Sequence, residues 1–301
     1  MTSVKSGIED FLAEKDTLET KTLNWYTQKL AVFSAWCENE SIELEDINKR
    51  TVVAFQNHLK ASRSPRKDTN LSSYTIAGYI QVIKTFLTWC TGDDEYEDIV
   101  NERAIRNVKK PKVDITIIEA YTDEHIKLLR QAASKEYSQS LRDRTTMILN
   151  LLLGTGIRAH ELVTLTIGNV FTNTNDPHIK VYGKGRKWRE VPLHNDLRRQ
   201  IKQFINTHRK DAGRDDLLIV GRYGEPMTTS GLDRVFKRLN EHAQIKDVRV
   251  SAHTCRHTFA KRFLLRNNNI YALSVLLGHS SVKVTEIYLR SITANEVRKN
   301  L

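Results

Sequence analysis

The stretch Leu151-Leu152-Leu153-Gly154-Thr155-Gly156-Ile157-Arg158-Ala159-His160-Glu161-Leu162 frames the rest of the chain. The run from Leu141 to Leu153 is apolar enough to be the central helix of a core; Gly154-Thr155-Gly156 ends it, and Ala159 to Leu165 begins another helix. Arg158 therefore sits where a glycine-rich turn enters a helix, a place from which a side chain can point into a cleft. Glu161, one turn on, can orient a basic neighbour or act as an ordinary capping carboxylate.

Downstream, His178 to Tyr182 and Trp188 to Leu193 alternate like strands and flank Gly183-Lys184-Gly185-Arg186-Lys187, which predicts a β-hairpin with Lys184 in its turn. Helical spacing then returns at 195–208, 229–242, 253–265, 270–277 and 282–290. Upstream of the central helix, Thr122-Asp123-Glu124 is a helix-start signal for Thr122 to Ala133. The first 100 residues read as a small helical bundle, with helices in Ile8 to Glu14, Thr22 to Glu38, Thr51 to Ala61 and Ser73 to Cys90. Lys60 to Lys67, containing Arg63, Pro65, Arg66 and Lys67, is too polar for core and reads as either a solvated loop or a contact to a polyanion backbone. The fold expected is mainly α with a small β-sheet. An N-terminal helical domain spans 1–108, a linker 109–120 and a mixed α/β domain 121–301, with a tail from about 291.

A chain of 301 residues exceeds the usual single core, which favours two domains. No 18-residue apolar run is present and Met1-Thr2-Ser3-Val4-Lys5 lacks the apolar region of a secretory signal, so a cytoplasmic protein is expected. Cys37, Cys90 and Cys255 are too scattered for a disulfide framework or a Cys-x-x-Cys metal site; reduced thiols are expected. The net charge of +11 is uneven: residues 1–110 hold 15 Lys and Arg against 17 Asp and Glu, and residues 111–301 hold 32 against 19. A basic second domain beside a nearly neutral first one points to a polyanion held mainly by the former. A merely solubilising basic surface is the bland alternative.

Several basic groups in this half have the chemistry of a phosphate cage. His253 and Arg256, three apart at the start of a predicted helix capped by Ser251, share one face at the helix's positive end. Arg256 offers a planar fork to two phosphate oxygens, and His253 can hydrogen-bond one or exchange a proton near neutral pH. Arg158 would be a second guanidinium for charge spread over equatorial oxygens. Lys184 is by itself a turn lysine, but a mobile ammonium can protonate a departing oxygen. Arg186, Lys187 and Arg189 read as backbone contacts. His279 follows a Gly278 that ends a buried helix, and Tyr288 lies nine residues on, in a segment where an aromatic is ordinarily core. A tyrosine with a solution pKa near 10 needs clustered positive charge and a proton acceptor to attack phosphorus at neutral pH.

The motifs Thr155-Gly156-Ile157-Arg158-Ala159-His160-Glu161-Leu162, Val181 to Leu193 with Lys184, His253-Thr254-Cys255-Arg256-His257-Thr258-Phe259-Ala260, and Leu276-Leu277-Gly278-His279 followed by Tyr288 resemble, in order and spacing, the tyrosine recombinase or phage integrase family, in its compact Xer-like or transposon-encoded form. The first domain resembles it only in its helices and in Thr75-Ile76-x-x-Tyr79 with Phe86-x-x-Trp89. The resemblance implies a SAM-like core-site DNA-binding domain followed by a catalytic domain of the DNA breaking-rejoining fold. It implies site-specific recombination in which Arg158, Lys184, His253, Arg256 and His279 activate a scissile phosphate and Tyr288 attacks it. The product is a 3′-phosphotyrosyl link and a free 5′-hydroxyl, and strands exchange through a Holliday junction, for integration, excision or resolution of an element or replicon. Glu161 would act behind the cage, and Arg63, Arg66, Lys67, Arg186, Lys187 and Arg189 would contact DNA. The partners implied are double-stranded DNA with inverted-repeat core sites and a homotetramer on two sites, from a monomer or weak dimer when free. An accessory bending factor or a second recombinase is an optional addition; no membrane, cofactor, metal or ATP is implied. Cys255 departs from the family's frequent leucine, as a packing variation.

Three other readings are open. A type IB topoisomerase would use a similar cage to swivel one strand. A DNA-binding relative would carry the set idle. A metal-dependent phosphoesterase would draw on His253, Cys255, His257 and His279, although no acidic partner recurs at ligand spacing and the arginines would repel the ion.

Overall fold

The structure, a computed structural model, describes residues 2–64, 69–100, 102–109, 111–113, 119–183, 187–293 and 296. The chain divides into two compact units, Met1–Thr116 and Ile117–Leu301.

In the first unit, α1 (Val4–Ala13), α2 (Thr20–Asn39), α3 (Lys49–Ala61) and α4 (Ser73–Cys90) form the helical bundle, followed by a short α5 (Glu102–Arg106). Small polar residues start the helices: Ser3 accepts from the Ser6 amide, Asn48 from Arg50 and Thr51, and Ser72 from Thr75. The apolar stripes meet in a core of Phe11, Leu30, Phe33, Phe55, Ile80, Ile83 and Phe86, with edge-on ring pairs such as Phe33–Phe55 at 5.0 Å. Cys37 and Cys90 are free and buried in it, and burial pushes both thiols up to about 12. α5 lies just before the expected linker, and at five residues it is too short to show a period.

In the second unit, α6 (Asp123–Ser134) is capped by Thr122, and α7 (Gln139–Thr155) is the central helix, packed by α6, α9 (Asn195–His208) and α11 (Ala252–Asn267). Its Ile148, Leu149, Leu151 and Leu152 are fully enclosed. After α8 (Ala159–Val163) comes an antiparallel sheet in the order β1 (Val170–Phe171), β2 (His178–Gly183), β3 (Lys187–Pro192). The hairpin is the one expected, with Gly183 paired to Lys187; β1, only two residues long, leaves no alternation to read. α10 (Thr229–Ala243) and α11 follow, then α12 (Ile270–Leu277) and α13 (Val282–Thr285), which passes into a 3₁₀ turn over Glu286–Ser291. Tyr288 thus lies on a 3₁₀ turn rather than in one helix over 282–290.

Two glycines are demanded by geometry. Gly156 closes α7 at φ +64°, and a Cβ there would stand 2.3 Å from the Phe259 ring. Gly156→Ala is therefore expected to destabilise the unit by about 3 kcal/mol, from left-handed strain plus overpacking, read as a lowered denaturation midpoint. Gly278 closes α12 at φ +65°, and a Cβ there would press on the Arg189 side chain at 2.9 Å.

Candidate active site

α7, α8, α11 and α12 each end or begin at one place, and their ends supply the groups that gather there. Arg256, on α11 behind its Ser251 cap, is almost fully buried. Its guanidinium donates to the Gly156 carbonyl at 2.7 Å and the Leu277 carbonyl at 2.8 Å, and reaches His279 Nε2 at 3.1 Å. Arg158, the cap residue of α8, donates to the same Leu277 carbonyl at 3.2 Å. The left-handed closures of α7 and α12 thus expose carbonyls that pin the two arginines side by side.

Glu161 lies behind Arg158 with 2% exposure. Its carboxylate accepts from the Arg158 amide at 2.7 Å, from Arg158 Nη1 at 3.0 Å, and from both terminal nitrogens of Arg189 at 2.7 and 2.8 Å. Burial alone would raise its pKa, but the hydrogen bonds and charge of Arg189, then the Arg158 amide and guanidinium, hold it below the usual carboxylate range. Arg189 also donates from Nε to the Leu276 carbonyl at 2.8 Å. One arginine of β3 is therefore tied both to the carboxylate behind Arg158 and to the turn that carries His279.

Arg189 differs from its expected place on a DNA backbone: its fork is occupied by Glu161 and its side chain is only 12% exposed. The strand pattern could have found this. Residues 187, 189 and 191 share a face of β3, and Val191 is in the core.

His279 has a readable tautomer. Arg256 has only protons to offer, so His279 Nε2 accepts, and Nδ1–H donates to Thr285 Oγ1 at 2.7 Å. Thr285 is fully buried and fixes the ring's orientation, a role its sequence position does not announce. Burial, followed by Arg256, Arg158 and Arg189, pushes His279 down to about 4. His253, exposed at the mouth, is also lowered by partial desolvation and then by Arg256, Arg249 and Arg158.

Tyr288 is buried with its ring parallel to His279 at 6.2 Å and 5.3 Å from His257. His257, read from sequence only as a possible metal ligand, instead packs between His253 at 4.1 Å and Tyr288, with its Nδ1 buried and unpartnered. Among the described residues no group of three or more His, Cys, Asp or Glu is placed to hold a metal ion. Burial and then the charges of His253 and Arg256 push His257 down to about 3, while Arg256 itself is lowered to about 10 by burial and by Arg158.

A depressed histidine makes the fold acid-sensitive. Between pH 6.5 and about 3 the unfolded chain binds the proton that folded His257 refuses, so stability falls as pH falls through that window. The full effect at His257 is on the order of 4 kcal/mol. Thermal melts from pH 7 to 4 should show this loss, and His257→Asn should flatten the slope.

The remaining sequence candidates fall as follows. Lys187 is exposed at the start of β3, and Arg63 is exposed in a bridge to Asn70. Arg66, Lys67, Lys184 and Arg186 lie outside the described residues. Cys255 is fully buried in the core, where burial raises its thiol. No helix among the described residues is long and apolar enough to cross a membrane.

Buried Arg256 and half-buried Arg158 gather near His279 and the buried Tyr288, a set able to hold an anion beside a nucleophile. The Phage integrase family model matches residues 120–294, and the Phage integrase SAM-like domain model matches 4–90. The chain belongs to the phage integrase family, the class of tyrosine-type site-specific recombinases. Among its relatives, tyrosine recombinase XerD of Pseudomonas aeruginosa is 28% identical over 276 residues, covering 90% of this chain and 87% of its own. Tyrosine recombinase XerC of Staphylococcus epidermidis is 29% identical over 289 residues, covering 92% and 88%. The fold is shared with the XerH site-specific recombinase bound to palindromic difH substrate in a post-cleavage complex, at TM-score 0.72 and 20% identity over 93% of this chain and 79% of that one. It is shared equally with a lambda integrase dimer bound to a COC′ core site, at TM-score 0.72 and 16% identity over 96% of each chain.

Proposed function

We propose that this chain recombines DNA at specific sites, with Tyr288 as the nucleophile. The observation that carries the reading is the position of Tyr288, buried with its ring 5.3 Å from His257 and parallel to His279, which the Arg256 guanidinium of the same chain reaches at 3.1 Å. A phosphodiester entering the cage takes the N–H groups of Arg158 and Arg256 that the Gly156 and Leu277 carbonyls leave open. The Tyr288 oxygen then bonds to phosphorus as the bond to the 5′ oxygen breaks. The phenolic proton passes to His253, held uncharged near neutral pH, and Lys184 on the hairpin protonates the departing 5′ oxygen. His279, donating to Thr285 and accepting from Arg256, holds the Arg256 guanidinium in the orientation that meets a non-bridging oxygen. Glu161 holds Arg158 in place without touching the phosphate.

The 3′-phosphotyrosyl link keeps the energy of the broken bond, so a 5′-hydroxyl from a second duplex can reverse the step without ATP. A first pair of such exchanges forms a Holliday junction and a second pair, on the other strands, resolves it, on a tetramer of this chain holding two sites. In this reading the helical first unit holds one face of each half-site, with Arg63, Arg66 and Lys67 at the backbone, and Arg186 and Lys187 of the hairpin add contacts from the other unit. DNA is also what the XerH and lambda integrase neighbours hold. Incubating the protein in EDTA with paired duplexes from the DNA flanking its gene should give recombinant strands and a four-way junction. Relaxation of supercoils with no strand exchange would instead favour a swivelling enzyme.

A further inference from the structure

Away from Tyr288, the loop from Val220 to Thr228 and the starts of α7 and α10 enclose a cavity of about 550 Å³ that no step above uses. Four arginines line it: Arg144, Arg222, Arg234 and Arg238. Arg144, on α7, is 8% exposed; one nitrogen donates to the Val220 carbonyl at 3.3 Å, and its Nε is buried with no acceptor. Burial, and then the charge of Arg238, hold its pKa below the usual range. The charges of Glu136 and Glu225 act on Arg144 in the opposite sense, yet among the described residues neither forms an ion pair with it.

The carboxylates of the lining are already engaged. Glu136 accepts from Arg238 at 3.2 Å and from Thr145 at 3.3 Å, and Glu225 folds back to accept the Tyr223 amide at 2.8 Å. The Arg222 guanidinium lies over the rings of Tyr137 and Tyr223 at 5.8 and 5.5 Å, and it has no carboxylate partner among the described residues. Arg234 is exposed and has no carboxylate partner among the described residues. The cap residue of α10, Thr228, and its first-turn Gly231 also line the cavity, so the positive end of a 15-residue helix opens onto it.

We infer that this cavity binds a backbone phosphate of the duplex whose scissile phosphate sits at Arg158 and Arg256. The inference rests on the DNA reading above. Arg144 stands eleven residues before the end of α7, about 16 Å along its axis, and Arg158 follows that end. The cavity then sets the register in which DNA enters the cage.

The test measures binding of the full-length protein to a random-sequence duplex at a series of salt concentrations. Replacing both exposed arginines, Arg222→Ala with Arg234→Ala, should lower the slope of log K against log salt by about 0.9 for each phosphate that is no longer neutralised. A control pair, Lys210→Ala with Lys246→Ala, removes the same charge outside the cavity and should change the slope less. An unchanged slope in the cavity variant, or an equal change in the control, overturns the inference; an unchanged slope with loss of self-association would assign the cavity to an acidic protein surface. Failure of the unaltered protein to bind any duplex would overturn the DNA reading itself, a result distinct from both.

Discussion

Arg256→Lys is expected to slow formation of the covalent protein–DNA link by about a thousandfold, with the fold retained. Arg256 holds two carbonyls and His279 with one planar group, and the Tyr288 ring lies parallel to that His279. A lysine keeps the charge but presents a single ammonium, so it cannot bind Gly156, Leu277 and two phosphate oxygens in a fixed plane. The loss should appear in the rate of the chemical step at saturating DNA, with DNA affinity changed little, because the fork is most strongly engaged as charge spreads over the equatorial oxygens. Equal losses in affinity and rate would place Arg256 in ground-state binding instead.

Glu161→Ala is expected to be the most destabilising change in this half of the chain. It removes the one carboxylate shared by Arg158 and Arg189, leaving a buried Arg189 guanidinium and the Arg158 amide unpaired. Breaking one side of a buried pair costs about 3–5 kcal/mol, which corresponds to a fall in Tm of roughly 10 °C for a unit of this size. The paired replacement Glu161→Leu with Arg189→Leu should recover much of that stability, since apolar groups can replace a buried ion pair. It should not recover strand cleavage, because Arg189 also holds the Leu276 carbonyl beside His279 and anchors the hairpin that carries Lys184. Stability and activity returning together would reduce the Glu161–Arg189 pair to a packing role.

Much of this was legible because the chemistry sits at helix ends, which punctuation residues mark. Gly156 and Gly278 announce the closures of α7 and α12, and Ser251 announces the start of α11; Arg158, Arg256 and His279 follow each of them by a few residues. α4 is found with the bounds its spacing predicts, Ser73–Cys90. What was not legible depends on contacts between elements remote in sequence. Arg189 stands among basic neighbours in a hairpin and looks like surface, yet Glu161, 28 residues earlier, draws it inward. His257 becomes a wall of the Tyr288 site only once the chain folds back, and Thr285 acquires its role only from His279. The change from α13 to a 3₁₀ turn also escapes a periodicity argument, since four residues of one followed by six of the other cannot separate a repeat of 3.6 from one of 3.0. That tighter turn buries Tyr288 while its neighbours Ile287 and Leu289 stay exposed.

The central claim, that Tyr288 attacks a phosphate held by Arg158 and Arg256, is tested most directly by covalent trapping. Nicked suicide duplexes drawn from the DNA flanking the gene are incubated with the protein in EDTA, resolved on a denaturing gel, and the attached peptide is mapped by mass spectrometry. The expected result is an adduct on Tyr288, absent in Tyr288→Phe. An adduct on another tyrosine, or none despite specific binding to the same duplexes, would contradict it.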